Sequence, residues 1–112
     1  MEKNIMISIF YEYYKKLLTD KQAEAIEMYY LEDLSLTEIA EIQGVSKQSI
    51  SETIKRSEKA LFDFEDSLKM YERINELSSL VDRLENNLLN DLDDEHFSKY
   101  MEIIYQIRNK LK

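Results

Sequence analysis

Apolar residues return at helical intervals along almost the whole chain. Near the N-terminus Met6, Phe10, Tyr13 or Tyr14, and Leu17 step by three and four residues, which predicts a helix from about Asn4 to Leu18. Thr19 and Gln22 then stand in Thr-x-x-Gln spacing. In such a capping box each side chain bonds the other's backbone N–H, so a second helix is expected from Asp20. It carries Ala23, Ile26, Met28, Tyr29 or Tyr30, and Leu31, and should end near Glu32-Asp33-Leu34. Ser35 and Glu38 repeat the box and predict a short third helix from Leu36 to Gln43. Gly44 is placed to stop it, because glycine takes positive φ without steric cost. Ser46 caps a fourth helix running to about Leu61 or Phe62.

From Phe64 to about Leu89 the pattern changes. Met70, Ile74, Leu77, Val81, Leu84 and Leu88 step by four, three, four, three and four, a heptad seam of under three heptads. Leu80 widens that face, which suits a helix hairpin or a dimer bundle better than an isolated two-stranded coil. Acidic residues from Asp91 to Glu95 mark the break, because they favour the positive end of a following helix. In that last helix Phe97, Tyr100 or Met101, Ile104, Ile107 and Leu111 share a face, and Arg108, Lys110 and Lys112 close the C-terminal end.

Composition sharpens this picture. The 112 residues contain no proline and one glycine, so almost nothing interrupts a helix and few tight turns are available to a β-sandwich or barrel. The expected fold is all-α: a helix-turn-helix bundle over residues 1–62, followed by a C-terminal helical hairpin or dimerisation extension over 63–112. Cysteine is absent and histidine occurs once. No disulfide framework or thiolate metal site can form, and a Ser-His-Asp triad has little to draw on. His96 follows Asp94 and Glu95 at a helix start, where a solvated first turn is the simple reading. No cofactor, metal site or catalytic residue is expected, and the chain is not read as an enzyme. No apolar run approaches the roughly 18 residues of a membrane span. The short run IMISIF is not a signal peptide, so a cytoplasmic protein without membrane contact is expected.

The segment from Leu34 to Leu61 carries the functional information. It reads helix, glycine turn, longer helix. Ile39, Ala40 and Ile42 are expected to turn the first of these inward, with Val45 plugging the turn. On the second, Ile50, Ile54, Ser57 and Leu61 step by four, three and four and so share a buried face. The opposite face then presents Ser46, Lys47, Gln48, Ser49, Ser51, Glu52, Thr53, Lys55 and Arg56, with Lys59 beyond. In a helix-turn-helix the second helix lies in the major groove with its N-terminal residues against base edges. Gln48 suits an adenine edge and Lys47 a guanine or a phosphate. Ser46, Ser49 and Thr53 can donate to phosphates or bases, and Lys55, Arg56 and Lys59 can anchor the backbone. Glu52 opposes phosphate unless a cytosine amino group meets it. Upstream, Phe10, Tyr11, Tyr13 and Tyr14 form an aromatic cluster, read chiefly as core and alternatively as a base-stacking platform.

Net charge bears on the same question. At −8 the chain is acidic, whereas dedicated nucleic-acid binders are more often basic. The acidity is uneven. Residues 62–112 hold twelve acidic and seven basic side chains, while 45–61 hold four basic and two acidic. A mildly basic reader on an acidic body binds weakly unless two copies share the task. A homodimer through residues 64–111 is therefore the favoured assembly.

Two resemblances follow from these residues. The pattern EIA…GVS…I…I-x-R…L resembles the last helix-turn-helix domain of bacterial sigma factors, which reads promoter DNA. Thr53 and Ser57 stand where arginine and alanine are common there, and Gln43 where an apolar residue is common. Base specificity therefore does not carry over. Over nearly the whole chain, LLTDKQ (17–22), YYLEDLSLTEIAE (29–41), VSKQSISETIKR (45–56) and the acidic helical tail resemble the YlxM family of small bacterial proteins. That resemblance implies an all-helical protein with a sigma-like helix-turn-helix and extra C-terminal helices. Its members are typically encoded beside the protein components of the signal recognition particle. The resemblance thus implies a DNA-binding regulator of that operon, or an accessory factor that binds the particle's RNA or its GTPase.

Overall fold

The computed structural model describes residues 2–112. Among them are six α-helices and no strand: α1 (Lys3–Tyr14), α2 (Asp20–Ile26), α3 (Leu36–Gln43), α4 (Lys47–Leu68), α5 (Met70–Asp91) and α6 (Asp94–Lys110). One compact unit runs to Tyr71 and a second from Glu72 to Lys112.

The caps form as their spacing requires. Thr19 Oγ1 accepts from Gln22 N at 3.2 Å while Thr19 N donates to Gln22 Oε1 at 3.1 Å. Ser35 and Glu38 make the same reciprocal pair at 3.1 and 3.2 Å. Capping also explains why α1 stops short of Leu18. Leu18 and Thr19 must be extended for the cap to form, so the chain leaves α1 through a tight 3₁₀ turn at Lys15–Leu17. α2 opens at its C-terminus into a wider turn over Glu27–Leu31, where Glu32 N donates to Glu27 O at 3.0 Å. Asp33, at φ 57°, then reverses the chain ahead of the Ser35 cap.

Helix α4 is the spine of the first unit and packs against α1, α2 and α3. Its N-terminal half supplies Ile50 and Ile54 to a cluster with Ala25, Ile39 and Ala40. Further along, Leu61 enters a second cluster with Ile7, Phe10, Tyr11, Tyr14, Leu18 and Ile26. The aromatic residues of α1 are therefore core. Phe10, Tyr11 and Tyr14 are buried and Tyr13 is half-buried, so the base-stacking alternative fails for this cluster.

The same rings explain why α4 does not end near Leu61. Phe62 meets Phe10 edge-on at 5.2 Å, and Phe64 lies 5.9 Å from Tyr14. Packing thus holds the next two turns helical, and α4 ends only at Lys69, whose φ of 55° breaks the ladder. Tyr14 then serves the start of α5. Its hydroxyl donates to Glu65 Oε1 at 2.5 Å and accepts from Met70 N at 3.0 Å, and the same carboxylate accepts from Tyr71 N at 3.1 Å. Two orphan donors of a helix N-terminus are satisfied in this way.

The second unit is a helix hairpin. Val81 of α5 packs with Met101 and Ile104 of α6, and Leu88, Phe97 and Leu111 lie against them. Arg108 bridges back to α5, with Nη2 2.9 Å from Asp82 Oδ1 and Nη1 on Glu85. Asp93 caps α6 by accepting from His96 N at 2.8 Å and also touches His96 Nδ1 at 2.7 Å. His96 is thus an ordinary first-turn residue. The heptad seam divides along this hairpin. Val81 and Leu88 serve the internal core, whereas Leu77 and Leu84, joined by Leu80, face outward.

Candidate nucleic-acid interface

The turn between α3 and α4 is made by Gly44 at φ 68° and ψ 34°. Val45 N donates to Ala40 O at 3.0 Å, closing the end of α3 in the manner of a Schellman motif. Ser46 caps α4, its Oγ accepting from Ser49 N at 3.0 Å. That acceptor is committed to the helix, but the hydroxyl proton is still free to donate outward.

Packing of α3 against α4 is carried by Ile39 and Ala40, both buried. Ile42 is a correction. It was expected to point inward and is 60% exposed. With 100° per residue, the arc centred between positions 39 and 40 takes in 36 and 43, not 42. Leu36 and Gln43 are accordingly half-buried, and Gln43 Nε2 reaches Glu24 Oε2 at 3.5 Å. The polar Gln43 is tolerated there because its amide finds this partner at the rim. Val45 likewise does not plug the turn and stays partly exposed.

On α4 the buried stripe is the expected one: Ile50, Ile54, Ser57 and Leu61. Ser57 is fully buried, its hydroxyl donating to Thr53 O at 2.7 Å. The opposite side is open. Ser46, Lys47, Gln48, Ser49, Glu52, Lys55, Arg56 and Lys59 are exposed, and Ser51 and Thr53 are half-buried. Helical geometry sorts them further. Gln48, Glu52 and Lys59 point directly away from the core. Ser51 and Lys55 lie along one edge, and Ser49, Thr53 and Arg56 along the other.

Charge pairing separates the cations. Lys59 Nζ lies 2.6 Å from Asp63 Oδ2, one turn further on, and that carboxylate holds its ammonium above the usual lysine range. Among the described residues, Lys47, Lys55 and Arg56 make no ion pair. Among the described residues the unpaired positive charge of α4 thus lies on Lys47 in its first turn and on Lys55 and Arg56, which stand on either side of Glu52.

The Ser51–Lys55 edge also borders a cleft of about 580 Å³, whose opposite wall is built from α1 and the turn after α2. Lys3 Nζ sits 3.4 Å from Glu58 Oε2, and Tyr30 donates to the same carboxylate. Tyr29 stands edge-on to Tyr30 at 5.1 Å. Nothing in the local sequence pattern signalled this group, because its members are 28 and 55 residues apart. Among the described residues no cluster of three or more His, Cys, Asp or Glu side chains could hold a metal ion. No helix among them is long and apolar enough to cross a membrane.

A capped short helix, a glycine turn and a longer helix with a polar outer face define an all-α helix-turn-helix protein. The chain belongs to the UPF0122 family: residues 1–107 match the family model described as "Putative helix-turn-helix protein, YlxM / p13 like". It is 40% identical over 110 residues to a UPF0122 protein of Streptococcus pneumoniae strain 70585, covering 98% of this chain and 97% of the relative. A UPF0122 protein of Bacillus mycoides is 36% identical over 111 residues, covering 99% and 98%. One from Thermoanaerobacter sp. strain X514 is 34% identical over 108 residues, covering 96% and 92%.

Proposed function

We propose that this protein is a non-catalytic DNA-binding regulator that places α4 in a major groove and acts in the signal recognition particle pathway by controlling expression of that operon. The observation that carries the reading is the exposed side of α4, where Lys47, Lys55 and Arg56 have no carboxylate partner among the described residues and flank Gln48. Unpaired cations are what phosphate requires, and an uncommitted amide is what an adenine edge requires. The link to the particle rests on the family resemblance alone. Lys47, Gln48 and Arg56 are the residues assigned to contact. Ser46, Ser49, Ser51, Thr53 and Lys55 support the backbone, and Lys59 contributes less because Asp63 already neutralises it. A homodimer through residues 64–111 doubles the contacts and offsets the acidic body.

The test is the triple variant K47A/Q48A/R56A. Its helicity by circular dichroism should match the parent, since all three side chains are exposed, and retardation of the protein's own operon DNA should be lost. Retardation equal to the parent's would dispose of the reading.

A second reading has its own support. Residues 62–112 hold twelve acidic against seven basic side chains, a composition suited to a basic protein surface. In that reading the chain is an accessory factor for the particle's GTPase or RNA, with Lys47, Lys55 and Arg56 clamping RNA phosphates. Crosslinking and sequencing of nucleic acid bound in cells separates the two: operon DNA supports the first, particle RNA the second.

A further inference from the structure

The cleft beside α4 lies within the first unit and holds a balanced set of charges. Lys3, Lys55, Asp33 and Glu58 line it, two of each sign. One pair is settled inside the protein, because Lys3 Nζ lies 3.4 Å from the Glu58 carboxylate and Tyr30 donates to the same group. Asp33 and Lys55 are exposed, and neither makes an ion pair among the described residues. They line one cleft without neutralising each other. Asp33 is held there by its backbone, since a φ of 57° carries the chain round ahead of the Ser35 cap. Lys55 projects from the opposite wall on a flexible four-carbon stem. Leu34, Leu36 and Tyr29 give the cleft apolar surface as well, and the Tyr29 ring is 37% exposed.

These observations restrict the ligand. A volume of about 580 Å³ falls in the range of small-molecule sites. A lone anion gains from Lys55 and is opposed by Asp33, and a lone cation meets the reverse. A small molecule that carries one charge of each sign satisfies both side chains, and an apolar body on it covers the leucines and the ring. We infer that this cleft binds a free amino acid with an apolar side chain, its carboxylate on Lys55, its ammonium on Asp33 and its side chain against Leu34, Leu36 and Tyr29. The inference goes beyond the DNA reading and does not depend on it, because its test contains no nucleic acid.

The probes are L-leucine, leucinamide, which lacks the carboxylate, and N-acetyl-leucine, which lacks the ammonium. Amide NMR spectra of the full chain are followed as each is added to about 10 mM. Leucine should give saturable shifts at Asp33, Leu34, Ser51 and Lys55. Each derivative should bind about tenfold more weakly, the worth of one hydrogen bond to a charged group. K55Q should bind leucine and leucinamide alike, and D33N should bind leucine and N-acetyl-leucine alike. Asparagine tolerates the left-handed backbone at position 33, and circular dichroism checks that both variants fold. No saturable shift with leucine, or saturable shifts only outside the cleft, overturns the site. Saturable binding that ignores the loss of either charge, or that both variants leave unchanged, overturns the roles of Lys55 and Asp33. Glycine binding as tightly as leucine overturns the apolar contact.

Discussion

Tyr30, in the wide turn after α2, donates its phenolic proton to the carboxylate of Glu58, three turns into α4 and only 12% exposed at its side chain. The bond ties the entry of the helix-turn-helix to the flank of the proposed reading helix, and Lys3 of α1 approaches the same carboxylate from the other side. A hydrogen bond to a charged acceptor contributes about 1.5–3 kcal/mol. Tyr30→Phe should therefore lower unfolding free energy by roughly that amount while leaving the ring packing intact. Denaturant titration at neutral pH checks it, and a loss under a few tenths would show that Lys3 alone satisfies Glu58.

Three tyrosines share this pattern, and together they give the fold an alkaline limit. Burial, then the bond to Glu27, pushes the Tyr11 hydroxyl up to about 12; burial, then the bond to Glu65, does the same for Tyr14. Tyr30 is raised too, by burial and by Glu58. In the unfolded chain a phenol ionises near 10. Stability from these groups is complete below that value and is lost as pH rises from about 10 toward 12, because only the unfolded chain releases its protons there. Ultraviolet titration should show a late group of tyrosines that ionises only as the protein unfolds. A single transition near 10 with the fold intact would contradict the burial.

Gly44 makes the turn for backbone reasons alone. A Cβ at that position would have nothing within 4 Å, so the cost of a side chain is confined to φ 68°. Gly44→Ala should cost about 1 kcal/mol, or about 4–8 °C in Tm, and Gly44→Asn less, since asparagine tolerates the left-handed region. Equal melting of all three proteins would place the turn's stability elsewhere.

Ser57 is fully buried where α4 meets its neighbours. Ser57→Ala should be nearly neutral, because the hydroxyl serves the Thr53 carbonyl of its own helix. Ser57→Leu should cost about 1–3 kcal/mol through overpacking. A stabilised leucine variant would reveal a void at this crossing.

Glu52 lies among the cations of the proposed reading face. Glu52→Gln should strengthen DNA retardation several-fold, and Lys55→Ala or Arg56→Ala should each flatten the salt dependence by about one unit of slope. Weakening by the glutamine variant would instead indicate that the carboxylate accepts a cytosine amino proton.

Much of this protein was written locally. Capping boxes at Thr19 and Ser35, the glycine stop at Gly44 and the Ser46 cap act over three or four residues, so the sequence alone determined where α2, α3 and α4 begin and where α3 ends. The buried stripe from Ile50 to Leu61 was equally legible, because helical periodicity is a property of a single helix. What required the folded chain was anything set by partners distant in sequence. The extension of α4 to Leu68 depends on Phe62 and Phe64 finding Phe10 and Tyr14. The exposure of Ile42 depends on the angle at which α3 meets α4. The pairing that leaves Lys47, Lys55 and Arg56 without a carboxylate among the described residues, and the division of one heptad seam into a buried half and an open half, arise because tertiary packing chooses which side of a helix is covered. Periodicity marks an apolar face, but only the neighbouring helix decides how much of it is used.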